Sequence, residues 1–185
     1  MNPEPEIELS PELLWSLLTP DEQQDAIKCF WEGHSLNQLL ILPQVIFGLA
    51  QVRNFREKFV RERPLEWRIK ELRTHLLKPP LDVFIDDVIR EFLLERKKEM
   101  ICAILEAEGT PHEDGVISDE AEPPTVDRLV RGLAGVRGKF SDRDLLLYYG
   151  NNVVGGQDHY EVYAEAAERP EFDQLGRTVL GSSSG

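Results

Sequence analysis

The amino-acid sequence predicts an all-α protein, in which an orthogonal or bundle-like array of helices is followed by a small C-terminal helical pair. Helix-opening phrases recur along the chain, apolar residues repeat at spacings of three and four, and prolines separate the patterned segments. The chain of 185 residues is long enough for one sizeable core with a small appendage. It is 41% hydrophobic and 30% charged, which is typical of a folded domain and not of a disordered chain.

The first helices are predicted from their caps. In "SPELLWSLL" a serine cap precedes a proline at the first helical position, where the missing N–H of proline costs nothing. In "TPDEQQDAIKCFW" Thr19 and Glu22 have the spacing of a capping box, and Gly33 ends the helix. The phrase "SLNQ" has the same spacing and predicts a third helix that begins after Ser35.

The apolar run "LLILPQVIFGLAQV" contains a proline, which inside a helix would remove one hydrogen bond and clash with the preceding turn. We therefore expect one short helix to end at Pro43 and another to run from Pro43 to about Glu62. A buried strand over "LLIL" is the alternative, because periodicity cannot classify such a short apolar run.

Two longer helices are expected to complete the first part of the chain. Residues 65–76 carry leucine and isoleucine at spacings of four, three and four, and Pro79-Pro80 then ends the helix. Residues 81–108 are interpreted as one long helix whose apolar side is interrupted at "ERKKE", and Gly109 suits its left-handed closing position. The predicted core consists of Leu17, Phe30, Leu40, Ile46, Leu49, Phe59, Leu72, Phe84, Val88, Phe92 and Ile101.

Composition divides the chain into five predicted segments. Between Glu106 and Pro124 there are seven acidic residues and no lysine or arginine, and the prolines and glycines there predict a linker. After the linker, Ser141 is the predicted cap of a helix that ends at Gly150, and at most one short helix is expected beyond it. The segments are a flexible acidic tail over 1–9, a main helical domain over 10–109, the linker over 110–124, a helical pair over 125–150 packed on the main domain, and a weakly structured tail over 151–185.

Charge and cysteine content indicate the compartment of the protein and the classes of partner it is expected to bind. The net charge is −13 and the pI about 4.8, which disfavours a general affinity for nucleic acid or for an anionic membrane. No basic and apolar leader opens the sequence, and no stretch approaches the roughly 20 apolar residues that span a bilayer. Cys29 and Cys102 are expected to be reduced thiols, so we expect a cytoplasmic protein with no membrane partner.

The phrase "PHEDG" combines an imidazole with two carboxylates in consecutive residues. His112, Glu113 and Asp114 suggest a metal or acid–base site, but neighbouring loop residues rarely close the tetrahedral shell that zinc requires. Pro111 and the Asp-Gly pair are typical of a turn, so a surface turn is the preferred interpretation. With no CxxC, phosphate-loop or nucleophile-elbow motif in the sequence, we expect neither a cofactor nor an enzyme.

A basic stretch from Arg53 to Lys78 contrasts with the acidic remainder and contains interleaved phenylalanine and tryptophan. Nucleic-acid surfaces combine basic and aromatic residues, but several of these charges have an opposite charge three or four residues away, as on a solvated helix face. The aromatics are expected in the core, and we take the basic stretch as a hypothetical acceptor for the acidic linker or for an acidic partner. The candidate interaction surface consists of Arg53, Arg56, Arg61, Arg63, Arg68 and Arg73.

The preferred function is therefore non-enzymatic: a protein–protein interaction or regulatory module that binds an unknown protein partner through a helix face. A nucleic-acid-associated protein that uses residues 53–78 is the alternative, and a metal-dependent or acid–base enzyme around His112 comes third. The sequence predicts neither the identity of the partner nor the oligomeric state.

Overall fold

A computed structural model describes residues 9–155 and 159–181 of the chain. Apart from one two-stranded hairpin, the elements in these residues are helical, which confirms the predicted all-α class. The predicted acidic tail and the terminal "GSSSG" fall almost entirely outside the described residues. The contacts group the residues into two compact units, which divide between Arg96 and Lys97.

The N-terminal unit, Pro11–Arg96, contains six helices and a 3₁₀ turn. The helices are α1 (Pro11–Ser16), α2 (Pro20–Glu32), α3 (Leu36–Arg53), α4 (Glu57–Arg61), α5 (Leu65–His75) and α6 (Ile85–Arg96), and the 3₁₀ turn is Asp82–Phe84. α2 packs against both α5 and α6, and α3 contacts α4, α5 and α6. The side chains of Ile27, Phe30 and Leu72 are completely buried and lie in the core of this unit.

The predicted capping box of α2 is confirmed in both directions. The N–H of Glu22 donates to Thr19 Oγ1 at 3.3 Å, and the N–H of Thr19 donates to Glu22 Oε2 at 2.9 Å. The cap of α3 is only half of such a box. The N–H of Gln38 donates to Ser35 Oγ at 2.9 Å, but the Gln38 side chain donates to the carbonyl of Phe30 at 2.8 Å and so links α3 to the end of α2.

Pro43 does not break the helix, so the predicted division at this residue is wrong. α3 continues for 18 residues through the proline and ends at Arg53, and Asn54 closes it with a left-handed φ of 53°. The proline removes only the hydrogen bond to the carbonyl of Leu39, on a side of α3 that is exposed to solvent. The expected helix from Pro43 to Glu62 is two helices, and the residues of the alternative strand are helical.

The expected long helix over 81–108 is also divided. Lys97 has φ −120° and ψ 23°, outside the helical range, so α6 ends at Arg96 and the next helix, α7, runs over Lys98–Glu108. The sequence "ERKKE" offers no apolar side chain to pack at this point, so little opposes a change of backbone direction. Gly109 ends α7 with a φ of 72°, which confirms its predicted left-handed position.

The C-terminal unit begins at Lys97 and contains the remaining described elements. After α7 they are β1 (His112–Glu113), β2 (Val116–Ile117), α8 (Val126–Val136), α9 (Asp142–Val154), α10 (Tyr160–Ala167) and α11 (Pro170–Gly181). α7 packs along α8, while α9 contacts α10 and α11. The boundary between the units at Lys97 differs from the predicted end of the main domain at residue 109. The main domain over 10–109 stays a prediction.

The chain after Gly150 is more helical than the sequence predicts. α9 passes through Gly150, and both α10 and α11 follow where at most one short helix is expected. Phe172, Leu175 and Val179 form the buried side of α11 at helical spacing. Such a sparse apolar pattern gives a weak sequence signal, so packing and not propensity decides that this segment is helical.

The predicted core is largely confirmed within the two units. Seven of the predicted residues are buried: Phe30, Ile46, Leu49, Leu72, Val88, Phe92 and Ile101. Leu17, Phe59 and Phe84 are only partly buried. The prediction for Leu40 is wrong, because it is 65% exposed. Since α3 continues unbroken, Leu40 lies on the side of the helix opposite the buried Leu49.

Candidate functional site

One side of α3 consists of large apolar residues that face solvent. Leu36, Leu39, Leu40, Pro43 and Phe47 lie within about 100° of the helix circumference, at the spacing of a single stripe. The exposed fraction is 75% for Leu36, 57% for Leu39, 65% for Leu40 and 50% for Phe47, and Pro43 is exposed as well. These five residues are called the docking face, which is about 16 Å long at a rise of about 1.5 Å per residue.

The opposite side of α3 is apolar too, and it is covered. Val45, Ile46 and Leu49 are at most 2% exposed and belong to the core of the N-terminal unit. No charged residue occurs between Leu36 and Val52, so α3 is apolar around most of its circumference. Helices of this kind are normally buried on all sides, and an exposed apolar stripe on one is typical of a surface that binds another chain.

A groove lies between α3 and the segment that leads into α6. Phe47 and Gln51 of α3 line it together with Pro80 and Phe84, and its volume of about 420 Å³ is enough for one or two large side chains of a partner. Gly48 also lines the groove. A Cβ atom at Gly48 would lie 2.7 Å from the Cδ2 atom of Leu81, so glycine permits the close approach of α3 to this segment.

The start of α3 is anchored on α6. The hydroxyl of Ser35 donates to a carboxyl oxygen of Glu91, and Asn37 Nδ2 donates to Asp87 Oδ1 at 2.9 Å. Burial raises the pKa of both carboxyls, and the hydrogen bonds from Ser35 and Asn37 oppose that rise. Carboxylates at the start of a helix also complement its dipole. The docking face is therefore presented by a helix whose beginning is fixed to the core of the unit.

The same contacts make one end of the docking face acidic. Asp86 lies beside Asp87 on α6, and burial together with the neighbouring carboxylate raises the pKa of Asp86 to about 6. Arg90 is the cation at this end: its Nη1 is 3.1 Å from Asp87 Oδ1, and its Nη2 is 3.6 Å from Asp86 Oδ2. Arg90 thus pairs with two carboxyl groups, and Glu91 adds a third carboxyl, which accepts from the hydroxyl of Ser35.

The other end of the docking face is basic. Arg53 is the last residue of α3, Arg56 precedes α4 and is exposed, and Arg61 ends α4. Arg53 Nε is 3.0 Å from Glu71 Oε2, and Arg61 Nη2 is 3.5 Å from Glu57 Oε2. Three of the six arginines in the predicted interaction surface thus lie on α3, on α4 or in the connection between them, and two of the three are paired with glutamates.

The other three predicted arginines are held by different contacts. The guanidinium of Arg63 lies over the ring of Phe59, 3.6 Å from its centroid. Arg68 lies over the ring of Trp31 in α2 at 4.9 Å, and Arg73 Nη1 donates to a glutamine side chain of α2 at 3.4 Å. Because Arg68 and Arg73 are directed towards α2, the six arginines do not form one continuous patch.

The aromatic residues of the basic stretch form a cluster at the surface. The ring centroids of Phe55 and Phe59 are 4.6 Å apart, and those of Phe59 and Trp67 are 6.0 Å apart. Phe55 is 37% exposed and the other two are partly buried, so the prediction that these aromatics belong to the core is wrong. Arg53 and Arg63 lie over Phe55 and Phe59, which gives this surface a mixed aromatic and basic character.

His112 lies in a β-hairpin, and the surface-turn interpretation of "PHEDG" is confirmed. β1 pairs antiparallel with β2, and Asp114 and Gly115 form the connecting turn with φ of 55° and 86°. The N–H of Gly115 donates to His112 Nδ1 at 3.3 Å, and Lys98 Nζ donates to Asp114 Oδ2 at 2.8 Å. Across the part of the chain that the structure describes, no three His, Cys, Asp or Glu side chains are arranged to hold a metal ion.

Glu108 is a carboxyl group buried inside the C-terminal unit, and only 3% of it is exposed. The hydroxyls of Tyr149 and Thr110 both donate to its carboxyl oxygens at 3.4 Å. Burial raises the pKa of Glu108 to about 7. The nearby guanidinium of Arg128 is engaged by the main-chain oxygens of residues 108 and 109 at 3.2 and 3.1 Å. Gly132 of α8 leaves the space for this side chain, since a Cβ there would overlap Glu108 Cγ.

Cys29 is buried in α2, and burial raises the pKa of its thiol to about 11. Cys102 is partly buried on α7, and both cysteines are free.

No single helix in residues 9–155 and 159–181 combines the length and apolar character needed to cross a membrane. α2 and α3 satisfy these two criteria only when taken together, and they are bent by 102° relative to each other.

The docking face was missed by sequence reasoning, although its residues lie in the most apolar run of the chain. A helix with apolar residues on all sides has no pattern that tells the covered side from the exposed one. The signal that could have found it is the absence of charged residues from Leu36 to Val52. This segment contains more apolar residues than are needed to bury one side of a helix. Comparison of the chain with models of known protein families, with curated proteins and with solved structures gave no match.

Proposed function

We propose that the protein is a protein–protein interaction module, which binds its partner through the docking face of α3. The observation that carries the proposal is a stripe of large apolar side chains, each at least half exposed, on a helix whose other side is buried. Burying apolar surface stabilises a complex by about 25 cal/mol per Å², so each of these half-exposed leucines would contribute roughly 1–2 kcal/mol.

The groove beside the docking face supports a protein as the ligand. Helix-in-groove recognition uses apolar anchors at helical spacing together with a pocket for one of them. Here the docking face supplies the anchors, and the groove lined by Phe47, Pro80 and Phe84 supplies the pocket. The hydrogen bonds that fix the start of α3 limit the entropy lost on binding, because the helix is already held in place.

The residues around the docking face favour a protein over a lipid surface. A helix that lies in a membrane interface carries lysine and arginine beside its apolar face. Between Leu36 and Val52 the exposed residues beside the docking face are Gln44 and Gln51, Asn37 at the start of the helix donates to Asp87, and arginine follows only at the end of the helix. Anionic lipid would be repelled from that end.

Nucleic-acid binding through residues 53–78 is a second candidate, and the exposed cluster of Phe55, Phe59 and Trp67 is the observation that favours it. Against it, Arg53 and Arg61 are paired with glutamates. A binding assay with single-stranded DNA and RNA at two salt concentrations tests this candidate, because affinity carried by phosphate contacts falls steeply with salt.

We also propose the cellular compartment in which the module acts. Free thiols at Cys29 and Cys102 support a reducing environment, and we place the module in the cytoplasm.

The docking face is tested by site-specific photo-crosslinking in living cells. A photoreactive phenylalanine analogue replaces Leu40 or Phe47 in the full chain, and the matched control carries it at Val116, an apolar hairpin residue that is 66% exposed. We expect defined protein adducts at both α3 positions and not at the control position, identified by mass spectrometry. The same adducts at all three positions, or adducts at Val116 alone, would contradict the proposed docking face.

A further inference from the structure

We propose that the partner of the docking face is a second copy of this chain, with the two α3 helices packed antiparallel about a two-fold axis. The inference rests on the proposed function, because it needs the docking face to bind protein. Two independent properties of α3 point to this occupant: the spacing of its exposed residues and the charges at its two ends.

The exposed residues of α3 are self-complementary in an antiparallel pair. When two identical antiparallel helices are related by a two-fold axis, residue i of one copy lies opposite residue j of the other. The sum of the two residue numbers is the same for every pair, and this sum defines the register. One such register pairs Leu40 with Phe47, Pro43 with Gln44 and Leu36 with Gln51. All six positions are exposed and lie within about 100° of the helix circumference, so this register brings them into contact, while Leu39 lies at the edge of the interface because its counterpart, Gly48, is buried.

The charges at the ends of α3 favour the antiparallel direction. Asp87 and Glu91 accept hydrogen bonds from the start of α3, with Asp86 and Arg90 beside them on α6, whereas the end of α3 carries Arg53, which is paired with Glu71, and is followed by the exposed Arg56. Antiparallel packing places the acidic end of each copy beside the basic end of the other and also opposes the two helix dipoles. Parallel packing would bring ends of like charge together.

The overall negative charge of the protein does not prevent this contact. The net charge is −13, but residues 11–96 contain fourteen acidic and twelve basic residues and are close to neutral. Exposed charges more than about 8 Å from the interface are largely screened at physiological salt. The middle of α3 brings no charged residue into the interface, so no buried like charges have to be compensated.

The first experiment measures the oligomeric state of the full chain. One helix pair with flanking contacts falls at the small end of specific interfaces, at roughly 1,200 Å². We therefore expect a dimer that dissociates on dilution, with a dissociation constant on the order of micromolar. In sedimentation velocity runs from about 1 µM to about 200 µM, the mean mass should rise from the monomer value of 21.2 kDa towards twice that value.

The second experiment tests the register with a pair of charged variants. Leu40→Asp and Phe47→Lys should each be monomeric, because each places a charge in the apolar interface. In a one-to-one mixture, Asp at position 40 of one copy faces Lys at position 47 of the other, and Phe47 still faces Leu40 at the second contact, so the dimer should return. Both residues are at least half exposed, and far-UV circular dichroism checks that the variants stay folded. Val116→Asp is the matched control and should dimerise like the wild type.

A third measurement does not depend on charged substitutions. Gln44 lies next to the proposed axis, so Gln44→Cys should give a covalent dimer with a short thiol-specific crosslinker. Lys70→Cys, at an exposed position on α5, is the control, and the wild-type chain gives the background from Cys102.

The outcomes separate this inference from the proposed function. A chain that stays monomeric at the highest concentration overturns the second-copy proposal, while adducts with another protein in the photo-crosslinking experiment would still support the docking face. A dimer that neither Leu40→Asp nor Phe47→Lys weakens forms through another surface and overturns the second-copy proposal, whereas the docking face itself is judged by the photo-crosslinking experiment. A dimer that both variants lose, but that the mixture does not restore, overturns the antiparallel register.

Discussion

Glu108→Gln should remove a loss of stability that the wild-type chain undergoes as the pH rises. The Glu108 carboxyl has an ordinary pKa of 4.5, and its pKa in the folded protein is about 7, because burial disfavours the charged form. The difference between these values corresponds to about 3 kcal/mol, at about 1.4 kcal/mol per tenfold change. Since the folded-state pKa is the higher one, this contribution is fully present below pH 4.5 and is lost as the pH rises to about 7.

Urea unfolding of both chains at several pH values, followed by far-UV circular dichroism, measures this effect. The quantity of interest is the free energy of unfolding of Glu108→Gln minus that of the wild type, which should increase by about 3 kcal/mol between pH 4.5 and pH 8. Taking the difference cancels groups such as Asp86 that titrate in both chains. Glutamine keeps the size of the side chain and an oxygen that accepts from Tyr149, so no cavity is created.

Glu106→Gln is the matched control, because it removes an exposed carboxyl from the same helix. A constant difference for Glu108→Gln over the same range would refute the reasoning. It would mean that water or a cation reaches the Glu108 carboxylate in the folded protein.

Three further substitutions test the packing and the hairpin. Gly132→Ala should lower the free energy of unfolding, measured in urea, by roughly 1–3 kcal/mol, because the new Cβ would overlap Glu108. Gly176→Ala is the control and should not lower it, because no atom lies within 4 Å of a Cβ at that position. Equal effects of the two substitutions would contradict the close approach of Gly132 to Glu108. Phe92→Ala should cost about 3–5 kcal/mol because Phe92 is only 3% exposed, and a loss below about 1 kcal/mol would place it outside the core. His112→Ala should change stability by less than about 0.5 kcal/mol. Metal analysis should find no difference between His112→Ala and the wild type, and a stoichiometric metal lost with the substitution would show that the hairpin is a metal site.

The helix starts could be predicted from sequence because their determinants are local. The box of Thr19 and Glu22 and the cap of Ser141 each need only residues within one turn, and the structure has both in place. The left-handed end at Gly109 is equally local, because glycine adopts a positive φ without a Cβ clash.

The course of the chain through Pro43 could not be predicted, because it depends on tertiary contacts. A proline inside a helix is unfavourable by roughly 3 kcal/mol in isolation. The burial of Val45, Ile46 and Leu49 on one side of α3, and the anchoring of its start by Ser35, offset that cost in the folded protein. Local sequence rules therefore predict a break at a point where packing maintains one helix. Because the sequence predicts two helices, it does not predict that the exposed residues of α3 form one continuous side.

The environment of Glu108 could not be predicted for a different reason. In the sequence it is one of seven acidic residues in a stretch typical of a solvated linker. Its burial depends on the contact with Tyr149, which lies more than forty residues later in the chain, and on the absence of a side chain at Gly132. A sequence pattern does not contain such a contact, because neither partner is within one helical turn of the glutamate.

The boundary between Arg96 and Lys97 also separates the chromophores of the protein. Its three tryptophans are Trp15, Trp31 and Trp67, all in the N-terminal unit, and its four tyrosines are Tyr148, Tyr149, Tyr160 and Tyr163, all in the C-terminal unit. Tryptophan emission therefore reports the melting of one unit, and second-derivative tyrosine absorbance reports that of the other, without any added label. Coincident curves from the two signals would mean a single cooperative transition, and displaced curves would assign each unit its own free energy of unfolding.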